Sequence, residues 1–243
     1  MFLQHSLSKK RIIMNKLLDT TQTYFFGRSY SETLRCFGFN QSELEGKMIL
    51  NCASGPSSFT ADANARGISV TAVDPVYYRS SSTLKALGEV DYEKMFRKMR
   101  AKPELFRFDY YKSFEEAEAD RYGALNRFLN DYRDSYPTGR YVAGSLPELP
   151  FDDRAFDVVL CGHLFFVYAF DFQFHLQSLL ELCRVSRKEV RIHPIVDSSG
   201  CLHEFLDPLM SELERFGYSC QLEKVEHAFF KGSDRTLVIR RET

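Results

Sequence analysis

The stretch from Met48 to Pro75, MILNCASGPSSFTADANARGISVTAVDP, constrains this chain more than any other. The apolar run Met48-Ile49-Leu50 predicts a strand, Ala53-Ser54-Gly55-Pro56-Ser57-Ser58 a tight turn, and Phe59 to Arg66 a helix that Gly67 stops. A second strand, Val70 to Val73, ends on Asp74. Strand, turn, helix, strand and acid in that order make half of a nucleotide-binding α/β unit. Only glycine or a very small side chain lets a backbone come within hydrogen-bonding distance of a ligand at a helix N-terminus. An acid at the end of the second strand sits where a ribose presents its hydroxyls. The bland alternative is a plain loop, with Asp74 capping the turn after its strand.

Downstream the pattern breaks and resumes. From Tyr77 to Thr138 no strand is predicted, only two charge-rich helices, about Ser82 to Ala101 and about Phe114 to Ser135. They form an insertion at the ligand edge of the sheet, where substrate cover is commonly built. The interleaving in Phe96-Arg97-Lys98 and Phe106-Arg107-Phe108 suits base stacking, but equal numbers of acids favour ordinary amphipathic helices. Strands then follow at Tyr141 to Ala143, Phe156 to Cys161, Glu189 to Val196, Ser219 to Val225 and Arg235 to Arg240, with helices at about Phe172 to Cys183 and His203 to Phe216. The loop before the last strand is too short for a parallel crossover, so that strand is expected to be antiparallel.

Before Met48, Ile12 to Leu18 and Ser29 to Phe37 carry helical spacing and predict an N-terminal helical arm and cover over residues 1–46, with 47–243 as the main domain and the insertion at about 77–138. The run Tyr24-Phe25-Phe26-Gly27-Arg28 reads either as a lid or as core packing, and Gln41 to Gly46 as a turn.

At 243 residues, 44% hydrophobic and 27% charged with a formal charge of −1, the chain offers no global attraction to nucleic acid or anionic lipid. Six cysteines, Cys36, Cys52, Cys161, Cys183, Cys201 and Cys220, show neither a CxxC pair nor metal spacing, which points to a reducing compartment and to no metal. No apolar run reaches the length of a membrane span, and MFLQHSLSKKRIIMNKLL lacks a signal-peptide core, so a cytoplasmic location is expected.

Leu149-Pro150-Phe151-Asp152-Asp153-Arg154-Ala155-Phe156-Asp157-Val158-Val159 resembles the LPF-x-D-x-x-FD-V-V stretch of class I S-adenosylmethionine-dependent methyltransferases. It follows Asn51 to Ser57 and Asp74 at that family's spacing. The resemblance covers about Met48 to Arg240. It implies a Rossmann-like, doubly wound α/β fold with a mostly parallel seven-stranded sheet, an antiparallel last strand and a helical insertion after the second strand.

It further implies S-adenosyl-L-methionine as cofactor. Ala53 to Ser57, with Ser54, Gly55 and Ser57 among them, would meet its methionine moiety with Asn51 at the cofactor-binding end of the first strand, Asp74 would hold its ribose, Ser145 and the Leu146 backbone its adenine, and Cys161 to Leu164 would floor the site. Two positions depart from the family pattern: Asn51 replaces an acid and Ser57 a glycine. Asparagine can still orient the loop by hydrogen bonds.

The implied chemistry is in-line displacement at a methyl carbon, for which alignment and exclusion of water matter most. If a general base takes part, His163, at the carboxyl edge after the fourth strand, is the first candidate and His193 the second. Tyr77, Tyr78, Tyr110, Tyr111 and Tyr168 are candidates to line a substrate pocket. The favoured reading is methyl transfer to a small-molecule acceptor. RNA or protein methylation and a non-catalytic binding role are the alternatives. A nicotinamide oxidoreductase is disfavoured because GxGxxG is absent.

Overall fold

The computed structural model describes residues 22–242; the helix expected over Ile12 to Leu18 lies outside them. The strands are β1 Met48–Cys52, β2 Ser69–Asp74, β3 Tyr141–Ala143, β4 Phe156–Gly162, β5 Ser186–His193, β6 Tyr218–Lys224 and β7 Arg235–Arg241. The helices are α1 Tyr30–Phe37, α2 Gln41–Leu44, α3 Phe59–Asn64, α4 Ser81–Arg100, α5 Phe114–Ser135, α6 Phe172–Val185 and α7 Leu206–Arg215. The seven strands lie in the order β3-β2-β1-β4-β5-β7-β6. β1 pairs in parallel with both β2 and β4, while β7 runs antiparallel to β5 and to β6. Central β1 and β4 are buried on both faces, and so read as continuous apolar runs (Ile49-Leu50, Val158 to Cys161) rather than as alternating ones.

Reversal of strand order beside β1 opens a crevice at the carboxyl ends of β1 and β4, where sheets of this kind bind ligands. β5 begins three residues earlier than expected because Ser186 pairs with Phe156 across an irregularity in β4. Gln41 to Leu44 is a short helix, not a plain turn, since Glu43 accepts the Asn40 N–H at 2.6 Å.

The insertion is helical as expected. Ser80 and Ser113 cap α4 and α5 by accepting the N–H groups of Thr83 and Glu116. Tyr92, Phe96, Phe128 and Tyr132 turn inward onto Tyr77 and Tyr141 and build a second, aromatic core. With its rings buried, the insertion offers amphipathic helices and not a stacking surface. It is tied to the β6–β7 loop through Arg107 N–H to Phe229 O (2.8 Å) and Lys231 N–H to Leu105 O (2.9 Å).

Residues 24–28 form a strap between α4 and the loop after β1. Phe25 N–H donates to Asp91 Oδ2 (2.9 Å), Gly27 N–H to the Tyr92 hydroxyl (3.1 Å), and Ser58 N–H to Arg28 O (3.0 Å). A Cβ on Gly27 would stand 2.3 Å from the Pro56 carbonyl carbon and 2.4 Å from Ser57 N, so only glycine fits there. The expected loop glycine at 57 is absent, and the close approach is made from the strap instead. Among the described residues no helix is long and apolar enough to cross a membrane.

Candidate active site

β1 ends in a loop whose backbone turns through two left-handed residues, Ala53 (φ 50°) and Gly55 (φ 53°). Gly55 N–H points at the end of β2 and donates to Asp74 Oδ2 at 2.9 Å, while Val76 N–H donates to Oδ1 at 3.2 Å. The Tyr77 hydroxyl, buried behind the loop, donates to Gly55 O at 2.5 Å and fixes the turn from its other side. Loop and acid thus face one another across a cavity of about 510 Å³, which both line together with Ala53, Ser145, Leu146 and His163.

Four residues expected at the site lie behind this wall. Asn51 donates from Nδ2 to Ser54 Oγ at 2.8 Å, so the pair braces the loop from beneath. Ser57 turns to the strap: its hydroxyl donates to Arg28 O at 3.0 Å and accepts from Phe59 N–H at 3.2 Å. Cys161 is wholly buried under the sheet edge beside Cys52, and Cys52 is the one of the two that reaches the cavity. Of the tyrosines, Tyr168 lines the cavity, Tyr78 is exposed, and Tyr77, Tyr110 and Tyr111 pack behind it.

Asp74 is buried, and burial pushes its carboxyl up to about 6 against the two backbone N–H bonds that favour the anion. A carboxylate offers about four lone-pair directions, so two N–H donors leave room for two further donors from a ligand.

His163 stands at the mouth of β4 in the left-handed region (φ 58°), held there by its N–H bond to His193 O at 2.6 Å. Such a conformation costs a non-glycine residue about 1–3 kcal/mol and is found at sites where a side chain must be aimed. Burial first, then the charge of Arg28, holds the imidazole well below the usual histidine range. It is therefore a neutral acceptor at pH 7, and not the group titrating near 6.5 that its residue type suggests. His193, 5.4 Å away between ring centroids, is driven down to about 3 by burial and by the neighbouring His227 and Arg28.

The far end of the cavity holds a charged cluster that the sequence did not announce. Glu32 on α1 is buried between Arg121 of α5, Arg28 of the strap and His227 of the β6–β7 loop. Arg121 donates to both Glu32 oxygens, through Nε at 3.0 Å and through Nη2. Burial opposes the Glu32 charge, but Arg121, the His227 hydrogen bond and Arg28 outweigh it and keep the carboxyl well below its usual range. Cys36 completes a ligand-like trio with Glu32 and His227, their donor atoms within 4.8 Å of one another. The two arginines already supply the positive charge that a metal ion would bring. Arg28 belonged to the expected lid run, but Glu32 and Arg121 read as ordinary helix-surface charges, and nothing local distinguishes them.

No protein-family model matches the chain. By backbone path it is similar to a magnesium protoporphyrin IX methyltransferase from Synechocystis PCC 6803 solved with bound S-adenosylhomocysteine, at 11% identity and a TM-score of 0.48 over 83% of this chain and 77% of that one. A 1,6-didemethyltoxoflavin-N1-methyltransferase from Burkholderia thailandensis is similar at 16% identity and a TM-score of 0.42, over 84% and 76% of the two chains. At such values the likeness concerns chain path alone, and the fold assignment rests on strand order and direction. In sequence, the chain is 31% identical over 229 residues to the uncharacterized protein MJ0045 of Methanocaldococcus jannaschii, covering 93% of this chain and 100% of that protein. The chain belongs to the family of that archaeal protein and has the seven-stranded, Rossmann-like fold of class I methyltransferases.

Proposed function

We propose that this protein is an S-adenosylmethionine-dependent methyltransferase acting on a small-molecule acceptor. The observation that carries the reading is the facing pair of Gly55 and Asp74, joined at 2.9 Å on one wall of the cavity at the carboxyl edge of the sheet. Asp74 keeps lone pairs for the two ribose hydroxyls. Ser145 and Leu146 border the same cavity, and the Leu146 N–H makes no hydrogen bond among the described residues, which suits an adenine edge. Ala53 and Gly55 leave space for the methionine chain beside β1.

S-adenosylmethionine supplies a methyl group already activated by its positively charged sulfur. The protein then has to hold the acceptor in line and exclude water. The strap residues Phe25 and Phe26, with Val167 and Tyr168, wall the cavity with apolar surface and do the latter. His163, neutral and facing the cavity beside Cys52, takes the proton that the acceptor atom loses, at a ring nitrogen that makes no hydrogen bond among the described residues. Enclosure under the strap and the insertion supports a small acceptor over RNA or protein.

The test is thermal unfolding with saturating S-adenosylhomocysteine or S-adenosylmethionine. A rise in midpoint that Asp74→Ala removes is expected; an unchanged melting curve with both ligands refutes the reading.

A further inference from the structure

Arg28 is held in the charged cluster by an ion pair alone. Glu32, the nearest anion, lies 3.6 Å from Arg28 Nε, beyond good hydrogen-bond geometry. Its oxygens are already engaged by Arg121 through two bonds and by His227 Nε2 at 3.3 Å, while the single Tyr111 hydroxyl proton goes to Asp120 Oδ2 at 2.7 Å. These contacts use most of the roughly four lone-pair directions of a carboxylate, and what Arg28 makes with Glu32 is an ion pair rather than a hydrogen bond. Arg28 Nε is left buried without a hydrogen-bond partner. The same cluster orphans two further buried nitrogens, His193 Nδ1 and His227 Nδ1. All three residues line the cavity. An unpaired buried donor is costly, and Arg28 Nε marks the place of an acceptor group that the protein itself lacks.

Charge gives the same answer. Two arginines face one glutamate, which leaves one positive charge. Asp91, on the same cavity wall, is engaged elsewhere, by Phe25 N–H at 2.9 Å and by Lys94 at 3.9 Å. Asp120 lies behind Tyr111, whose hydroxyl it accepts at 2.7 Å. Beyond the cluster the walls turn apolar, with Val167, Phe170, Phe229 and Phe230 among them.

Building on the methyl-transfer reading above, we propose that the acceptor is a small apolar molecule carrying one carboxylate, gripped by the Arg28 guanidinium. Arginine suits the role because its planar fork matches a carboxylate in two parallel bonds. Within the cluster one positive charge is left over, which matches a monoanion better than a phosphate dianion. Arg28 and His163 line the same cavity, so an acceptor anchored at Arg28 shares that space with the proposed base.

The experiment is thermal-shift titration of the full chain saturated with S-adenosylhomocysteine, using benzoate, 3-phenylpropanoate and indole-3-acetate, their three amides, and phenyl phosphate. At least one carboxylate is expected to raise the midpoint where its amide does not. Arg28→Gln is expected to weaken that carboxylate roughly tenfold to a hundredfold, and Arg28→Lys less, because it keeps the charge and loses the fork. Persistence of the S-adenosylhomocysteine shift in both variants reports an intact fold and cofactor site. The proposal is overturned if no acid outperforms its amide, if the preference survives in Arg28→Gln, or if phenyl phosphate outcompetes every carboxylate. Failure of the methyltransferase reading looks different: S-adenosylhomocysteine then gives no shift, while carboxylate titrations without it still read out Arg28.

Discussion

Replacing Asp74 with asparagine should make the empty protein more stable at pH 8 while removing its grip on the adenosyl ligand. The buried carboxyl of Asp74 is pushed up to about 6 from an ordinary value of 3.8. A group whose folded value is raised in this way contributes stability that is complete below the unfolded value and is lost as pH climbs through the folded one. Between 3.8 and about 6 that loss amounts to about 3 kcal/mol. Asparagine escapes it, but offers a single carbonyl oxygen where Gly55 N–H and Val76 N–H use one each, at a cost of about 1 kcal/mol. The expected net gain at pH 8 is about 2 kcal/mol, or roughly 4–8 °C in midpoint for a chain of this size. The gain should fade as pH falls through 6 and be gone below 4. Binding moves the other way. Two charge-assisted bonds to ribose hydroxyls are worth about 3 kcal/mol together, roughly a hundredfold in Kd. S-adenosylhomocysteine at about 100 times the wild-type Kd then stabilises the wild type by about 2.7 kcal/mol and the variant by about 0.4 kcal/mol. Calorimetry at pH 8, 6 and 4, with and without ligand, reads both. A variant no more stable than wild type at pH 8, or one that keeps its ligand shift, refutes the reasoning.

Gly27→Ala places a methyl group about 2.3 Å from the Pro56 backbone, so the strap must lift; a loss of about 3 kcal/mol, or roughly 6–12 °C in midpoint, is expected, and an unchanged melting curve contradicts the packing described. Glu32→Gln leaves Arg121 and Arg28 without their anion and should cost about 3–5 kcal/mol in denaturant unfolding at pH 7. Because the Glu32 value is lowered by folding, that contribution is present above the ordinary glutamate value and lost as pH falls below it, so the two proteins should converge in acid. His163→Ala should keep the S-adenosylhomocysteine shift and lower kcat by roughly a hundredfold or more in a methyl-transfer assay; an unaffected kcat removes the proposed base.

Much of the scaffold was legible because it is local. Hydrophobic runs of fixed period gave the strands and helices, Gly67 the stop of the helix after β1, and the short connection before Arg235 the direction of the last strand. The turn at Gly55 and the acid at Asp74 stood out for the same reason: close backbone approach demands particular residue types at particular places. Small errors, such as the turn expected at Gln41 to Gly46, came from capping bonds of a few residues' reach.

The far end of the cavity was beyond such reading. Glu32, Arg121 and His227 are separated by up to 195 residues, and each looks like a solvated surface charge until three elements enclose it. Burial also changed the chemistry of residues that had been picked out, lowering His163 and raising Asp74, because the penalty on charge depends on what surrounds a group and not on its neighbours in sequence. Period and turn chemistry, which act over a few residues, determined the sheet and the loop that faces Asp74. Long-range packing, which alone fixes desolvation and charge pairing, decided that Arg28 would line the cavity beside Glu32 with its Nε unpaired.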